Sequence, residues 1–357
     1  MRDYLIRRFL LLFPTLLGIS FIAFLITRVV PGGPVEQAMT QARQAALKGG
    51  IRGAGGNDAL SPEQVQQLKK MYGLDRPVLI AYLEWLGVKP KPVTGEDGKD
   101  VRKFAGVLQG DFGISFREGE PVTEVIKRRL PISATFGLLT TLIVYSTCIP
   151  LGILKAMKHR SPFDNASSVS IFVGYAIPGY VLATVLMYLF CFKWQIFPNS
   201  GFQSEGFGKM GAFAQLSDRF QHMFLPLVCY LVGSFAFMTM LMKNQLLDNL
   251  AMDYVRTAVA KGVDYRDAVL KHAFRNSLVP LATNLGNLIS VIFMGSFLIE
   301  KIFDIDGLGL LGYSSVVDRD YPVMLAILFI GALFMLIGNI LSDICVAFVD
   351  PRIRFGK

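Results

Sequence analysis

The side chains able to act as metal ligands, nucleophiles or bases are few and scattered. The three histidines, His159, His222 and His272, and the four cysteines, Cys148, Cys191, Cys229 and Cys345, form no CxxC pair and no zinc-ligand spacing. One imidazole without partners makes no metal site, so each histidine reads as a polar residue at an interface. Each cysteine sits in a long apolar stretch and reads as a buried free thiol. The chain also lacks GxxxxGKS or GxxxxGKT, HExxH and GxSxG. It therefore carries no phosphate-cradling loop, no zincin site and no nucleophile elbow. No catalytic residue, metal or cofactor is expected in this chain, and a membrane-embedded hydrolase is disfavoured.

Two groups of polar residues remain. Tyr175, Asn284, Asn287 and Ser290, together with Tyr180 and Asn339, lie within long uncharged stretches. There they could line a hydrated path or bond one helix to another. The second group lies between Tyr254 and Arg275. Asp253 to Lys261 is compatible with a helix that ends at Gly262, and Asp264 can cap a following helix through His272. Small residues at Ala258 and Ala260 would let another protein's surface come close, although periodicity alone equally allows an amphipathic pair lying in a membrane interface.

The elements that must position these residues follow from composition. Of 357 residues, 52% are hydrophobic and 18% charged, against roughly 25% charged in soluble domains. A ~30 Å hydrocarbon core needs about 20 helical residues. Six uncharged runs meet that length: Phe9 to Thr27, Pro131 to Leu154, Asn165 to Phe192, Met223 to Met242, Asn276 to Ile299, and Tyr321 to Ser342. Each is apolar around its whole circumference. The fold class expected is an all-α membrane protein of six transmembrane helices, with Pro14, Pro150, Pro178 and Pro226 tolerated inside them. The first run lacks a small-residue cleavage site and reads as an uncleaved anchor.

The net charge of +9 could mark nucleic-acid binding or membrane topology. Placing both termini in the cytoplasm gives fifteen Lys and Arg on the inside against five on the two short outside loops. The charge is thus topological, and no nucleic-acid partner is expected. No Asp, Glu, Lys or Arg lies inside the six runs. Ion-coupled carriers place such groups at membrane depth, so a secondary transporter is disfavoured and the energy source is expected on a partner.

The segment from Arg28 to Leu130 is expected outside the cytoplasm, as a small subdomain rather than a plain solvated spacer. Ser61-Pro62-Glu63-Gln64 opens a helix that Gly73 ends. Pro77 to Leu86 reads as a second helix stopped at Gly87, while Lys48 to Asn57 and Pro90 to Asp100 read as flexible loops. The expected organisation is a tail and first span at 1–30, the outer subdomain at 31–130, and a five-helix core at 131–345. That core contains the 243–275 loop, and a cytoplasmic tail follows at 346–357.

The stretch YVRTAVAKGVDYRDAVLKHAFRNSLVP, Tyr254 to Pro280, resembles the EAA loop of permease subunits of binding-protein-dependent ABC importers, in their peptide and nickel branch. The family's alanine and glycine match Ala258 and Gly262; Arg256 stands at its acidic position, and Pro280 lies further from the glycine than in sugar-importer permeases. The opening YLIRRFLLLFPTLLGISFIAFLITRVVPGGP, the block GDFGISFREGEPVTEVIKRRLP and the block IEKIFDIDGLGLLGYSSVVDRDYPV are also similar to that branch, in the same order. PGGPVEQA followed by the GAGG insertion looks most like the Yej-type permease, associated with oligopeptides and microcin C-like antibiotics.

The resemblance implies a type I ABC importer permease in the bacterial inner membrane, surrounded by lipid. It would pair with a second homologous permease, cytoplasmic ATPase subunits that carry ATP and Mg, and a periplasmic binding protein that delivers a peptide. Dipeptide or nickel permeases of the same branch are the alternatives. Tyr254, Arg256, Thr257, Ala258, Lys261, Gly262, His272 and Arg275 would couple to the ATPase, whose closure would convert an inward-open path to an outward-open one.

Overall fold

Residues 2–29, 63, 65–66, 75–94 and 100–349 are described in the computed structural model of the chain; for 2–3, 92–94, 100–101 and 287–294 the backbone alone is described. Among the described residues, four helices are long and apolar enough to cross a membrane: α1 (Arg2–Val29), α3 (Val122–Met157), α6 (Ala212–Leu250) and α12 (Tyr321–Val349). Between the first two lies the short helix α2 (Val78–Leu86), closed by Gly87 at φ 89° as its sequence requires. The long helices outrun their apolar stretches. At 1.5 Å per residue the 39 residues of α6 extend about 58 Å, so its polar ends continue past any hydrocarbon core.

The third and fifth runs depart from the expectation of one continuous helix each. The third divides into α4 (Pro162–Ala176) and α5 (Gly179–Leu186), the latter prolonged by a π-helical turn Met187–Lys193; the two parts meet at 88°. Pro178 is the cause. It lacks an N–H, and it drives Ile177 to φ −90°, ψ 116°, outside the helical region. Pro14, Pro150 and Pro226 lie inside helices as expected. The fifth run divides among the end of a composite helix α8 (265–277), then α9 (Val279–Met294) and α10 (Phe297–Ile302). Its last break is Gly295, at φ 59°. Helix α7 (Asp253–Ala260) precedes α8, and α11 (Leu308–Val317) follows α10.

A second correction concerns 90–100, read from its glycine and proline content as a loop. Two strands pair there, β1 (Lys91–Thr94) antiparallel to β2 (Asp100–Lys103), with Val93 opposite Val101. Both glycines that suggested a loop fall at 95–99, outside the described residues, as does most of the helix expected from Ser61 and all of 48–57. Of that helix, residues 63, 65 and 66 are described and are helical.

The chain forms two compact units, one of residues 1–12, 129–311 and 331–357, the other of 13–128 and 312–330. In the first, Val144 and Cys148 of α3 and Met238, Met242 and Leu246 of α6 form a core with Val255, Ala268, Val269, Ala273 and Leu281. Where water offers no drive between helices, small residues let backbones approach. A Cβ on Gly152 would stand 2.7 Å from the Met242 Cβ, and one on Gly286 of α9 would stand 2.4 Å from the Gly338 carbonyl oxygen of α12. Cys148, Cys191 and Cys229 are buried free thiols, and Cys345 is half-buried.

The second unit is organised by aromatic rings. Tyr82 and Trp85 of α2 stack at 6.0 Å, Phe21 and Phe24 of α1 meet Tyr82 edge-on, and Trp85 meets Phe329. The Tyr82 hydroxyl, buried at the centre, donates to the Leu17 carbonyl at 3.1 Å and lies 2.8 Å from the Ser20 hydroxyl.

Gly286→Val is expected to cost about 1–3 kcal/mol through overpacking against Gly338, read as a lowered midpoint in thermal unfolding of the detergent-solubilised protein. Gly286→Ala should show a smaller loss in the same assay.

Candidate functional site

The loop singled out at 243–275 is ordered by local capping on one side and by packing on the other. After α6 ends, Met252 is extended and α7 begins with Asp253 in its first turn, where a carboxylate complements the helix N-terminus. Gly262, at φ 89°, closes α7: its N–H donates to the Val259 carbonyl at 2.9 Å, and the Val263 N–H donates to that of Ala258 at 3.2 Å. That left-handed conformation favours glycine, which adopts it without a Cβ clash. The Asp264 carboxylate then accepts from the Arg266 N–H at 3.0 Å and starts α8. Within α8, Ala268–Ala273 is a π-helical turn, which sequence periodicity did not reveal.

Packing holds the pair in place. Val255, Ala268, Val269 and Ala273 are buried. The Ser277 hydroxyl bonds the Gln245 carbonyl of α6 at 3.2 Å. The Tyr254 hydroxyl donates to Asn249 Oδ1 at 2.9 Å and accepts from Asn276 Nδ2 at 3.1 Å, so one phenol links α6, α7 and α8. Arg275 Nε donates to the Val349 carbonyl of α12 at 2.8 Å.

Between α7 and α8 lies an open cleft of about 760 Å³. Six of the expected residues line it: Tyr254, Thr257, Ala258 and Lys261 from one side, His272 and Arg275 from the other, with Val263, Lys271, Asn276 and Val349 completing the wall. Arg256 and Gly262 do not line it; Arg256 is exposed on α7 and Gly262 sets the turn. Among the described residues no carboxylate lines the cleft.

The residues considered for a hydrated path are not brought together in this way. Tyr175 is exposed in the last turn of α4, just before the break at Pro178, and Asn284 is half-buried on α9. The side chains of Asn287 and Ser290 lie outside the described residues.

Sequence reasoning missed a buried ionic cluster next to the loop. Asp164, at the start of α4 and 2% exposed, receives Lys243 of α6 at 2.7 and 2.8 Å on its two oxygens. Lys155 of α3, fully buried, lies 3.1 Å from the same carboxylate and also donates to the Asp164 carbonyl and the hydroxyls of Ser167 and Ser168. The Arg160 N–H donates to Asp164 at 3.0 Å, and His159 Nδ1 stands 3.5 Å away. The two lysines read in the sequence only as loop cations, because Lys243 lies 79 residues from Asp164 and Lys155 reaches it across the turn between two helices, and neither separation leaves a periodic trace.

Residues 148–355 match the family model described as a binding-protein-dependent transport system inner membrane component, and residues 1–137 match the model of that component's N-terminal region. The chain belongs to this permease family. Across 99% of both chains it is 39% identical to the inner membrane ABC transporter permease protein YejB of Escherichia coli O157:H7. It is 37% identical to the peptidoglycan transport system permease protein YejB of Agrobacterium fabrum, over 100% of this chain and 99% of that one. With the oligopeptide transport system permease protein AppB of Bacillus subtilis the identity is 33%, over 99% of this chain and all of that one. The protein is accordingly a multi-pass membrane permease.

Two blocks by which the sequence resembled such permeases now have physical roles. In the first unit, Glu300 is 1% exposed; it accepts from the Leu310 N–H at 2.6 Å and the Tyr230 hydroxyl at 3.3 Å. A Cβ on Gly295 or Gly307 would strike its carboxyl group, which explains glycine at both places. In the second unit, Asp320 receives the Ser115 hydroxyl and the N–H groups of Phe116 and Arg117, joining blocks some 200 residues apart.

Asp164→Asn would leave two buried ammonium groups without a carboxylate, and removing one member of a buried pair costs about 3–5 kcal/mol. Thermal unfolding in detergent should show that loss. The all-neutral combination with Lys155→Met and Lys243→Met should recover part of it.

Proposed function

We propose that the chain is the permease subunit of an ATP-driven peptide importer, crossing the membrane six times with both termini in the cytoplasm. The observation that carries the coupling part of this reading is the cleft between α7 and α8, a preformed concavity on a helix–turn–helix anchored to α6 and α12. On this reading α4 and α5 together form the third span and α9 the fifth. A second homologous permease completes the path, a cytoplasmic ATPase bearing ATP and Mg seats against the cleft, and a binding protein delivers substrate to the far side. The 31–130 segment would serve that delivery.

The relatives' names support peptides as the substrate class. AppB is named for oligopeptides, and the 29%-identical DppB of Bacillus subtilis for dipeptides. Within that class we favour oligopeptides, including microcin C-like antibiotics, on the Yej-type resemblance. The name of the Agrobacterium relative favours a second reading, peptide fragments of peptidoglycan. Substrate would pass by Tyr175, Asn284, Asn287 and Ser290. The break beside Tyr175 supports this, because non-helical backbone at membrane depth is tolerated where it faces protein or a water-filled cavity. Nucleotide binding on the partner must favour one arrangement of the path over the other.

Gly262→Pro cannot keep φ 89° because proline fixes φ near −65°, and Ala258→Asp places a charge on the cleft wall. In nanodiscs with the partner subunits, both are expected to abolish substrate-stimulated ATP hydrolysis while the complex remains folded. Normal transport by both would remove the loop from the mechanism. The small molecule retained on co-purification decides between a free peptide and a muropeptide. Uptake driven by a proton gradient without an ATPase would overturn the reading as a whole.

A further inference from the structure

The cleft between α7 and α8 has a charge pattern that the family assignment does not explain. Lys261 stands on one side, His272 and Arg275 on the other, and among the described residues no Asp or Glu contributes to the lining. Lys271 is matched by Asp267 at 2.7 Å on the exposed side of α8. Lys261 and His272 have no acidic partner among the described residues, and beyond the bond from Nε to Val349 the guanidinium of Arg275 makes no hydrogen bond among them. Lys261 and Arg275 are both positively charged at neutral pH, and like charges facing one concavity repel one another until an anion enters. An arginine fork in such a place suits a carboxylate in particular, which it can grip with two parallel N–H bonds.

Three occupants could supply that anion or fill the space. The chain's own last residues leave from Val349 at the cleft wall, but Asp350 to Lys357 carries Arg352, Arg354 and Lys357 against one aspartate and would add positive charge. An anionic lipid surface is best met by cations spread along one plane above an apolar face, whereas these converge on a hollow. A protein remains. On the same two helices and the residues that lead into them, Met252, Val259, Tyr265 and Leu270 are exposed large apolar residues, and aromatic, methionine and arginine side chains are enriched at protein interfaces.

We infer that this cleft receives an acidic segment of the partner ATPase, whose carboxylate side chains enter between Lys261 and the pair His272 and Arg275. This rests on the coupling role proposed above and names the chemistry of the surface that meets it. Opposite charge here fixes the register of docking and speeds encounter, and it makes docking sensitive to salt.

The test uses the full-length chain with its second permease in nanodiscs and measures binding of the ATPase subunit at 50 and 300 mM NaCl. Wild-type affinity is expected to fall with salt. Lys261→Glu and Arg275→Glu should each weaken binding at least tenfold at low salt and flatten the salt dependence, and Lys261→Gln should lie between. Both residues are exposed, so unchanged thermal unfolding verifies that the variants are folded. Unchanged affinity and salt slope in both reversals would overturn the inference. So would reversals that affect only binding to phosphatidylglycerol over phosphatidylcholine vesicles, which would make the cleft a lipid site. A truncation after Val349 that tightens ATPase binding tenfold would do the same by making the tail the occupant. If Gly262→Pro uncouples the ATPase while the reversals are silent, the coupling role stands and this inference falls; if all are silent, both fall.

Discussion

One carboxylate, that of Asp164, holds together the ends of three helices. Taking an ion out of water costs several kcal/mol, and the cost is recovered only when the partners sit in good geometry with every remaining donor satisfied. Lys243 supplies two short contacts, Lys155 a third, and the Arg160 N–H a fourth. Serine hydroxyls and a carbonyl take up the donors of Lys155. Such a cluster tolerates little sliding, so α3, α4 and α6 have one register at this end. Lys243 lies two turns before α6 ends, and the α7–α8 pair is built on that end through Gln245 and Asn249. The shape of the cleft therefore depends on a charge pair that does not line it.

Elsewhere the same unit uses contacts suited to helices without water between them. Gly152 and Gly286 remove side chains where backbones must meet, and Gly179 brings α5 within contact of the Cys229 carbonyl. Polar groups at the breaks are supplied with partners rather than left to solvent. Glu300 takes up the Leu310 N–H at the opening of α11, and the Tyr230 hydroxyl accepts the Ser296 N–H beside Gly295. The second unit solves its own version of this problem with the Tyr82 ring cluster and the Asp320 carboxylate.

What was legible in the sequence was what local chemistry decides. Four of the six apolar runs became α1, α3, α6 and α12; the glycine stop at Gly262 and the cap at Asp264 stood where their spacing put them. Most of the coupling residues named from the loop line one cleft. What escaped depends on partners distant in the chain. Four prolines looked alike in the sequence, yet Pro178 breaks its run while Pro14, Pro150 and Pro226 do not, and only Pro178 is followed directly by a glycine that lets the next helix pack close. The ribbon at 91–103 is a backbone pairing that composition does not encode, and the π-turn in α8 shifts a register without altering the apolar pattern. Asp164 drew no notice because a lone acid near a span end looks the same whether it faces water or a lysine.

The Lys155 and Lys243 side chains carry a further consequence for how such a chain is made. Positive residues beside an apolar run act during insertion, when the chain is still threading into the bilayer. In the folded protein these two are 0% and 7% exposed and paired with Asp164. On the six-span reading, the charges that orient the newborn chain are afterwards withdrawn from solvent and reused as internal fasteners. A titration of the finished surface would thus undercount the signal that set its topology, by two lysines.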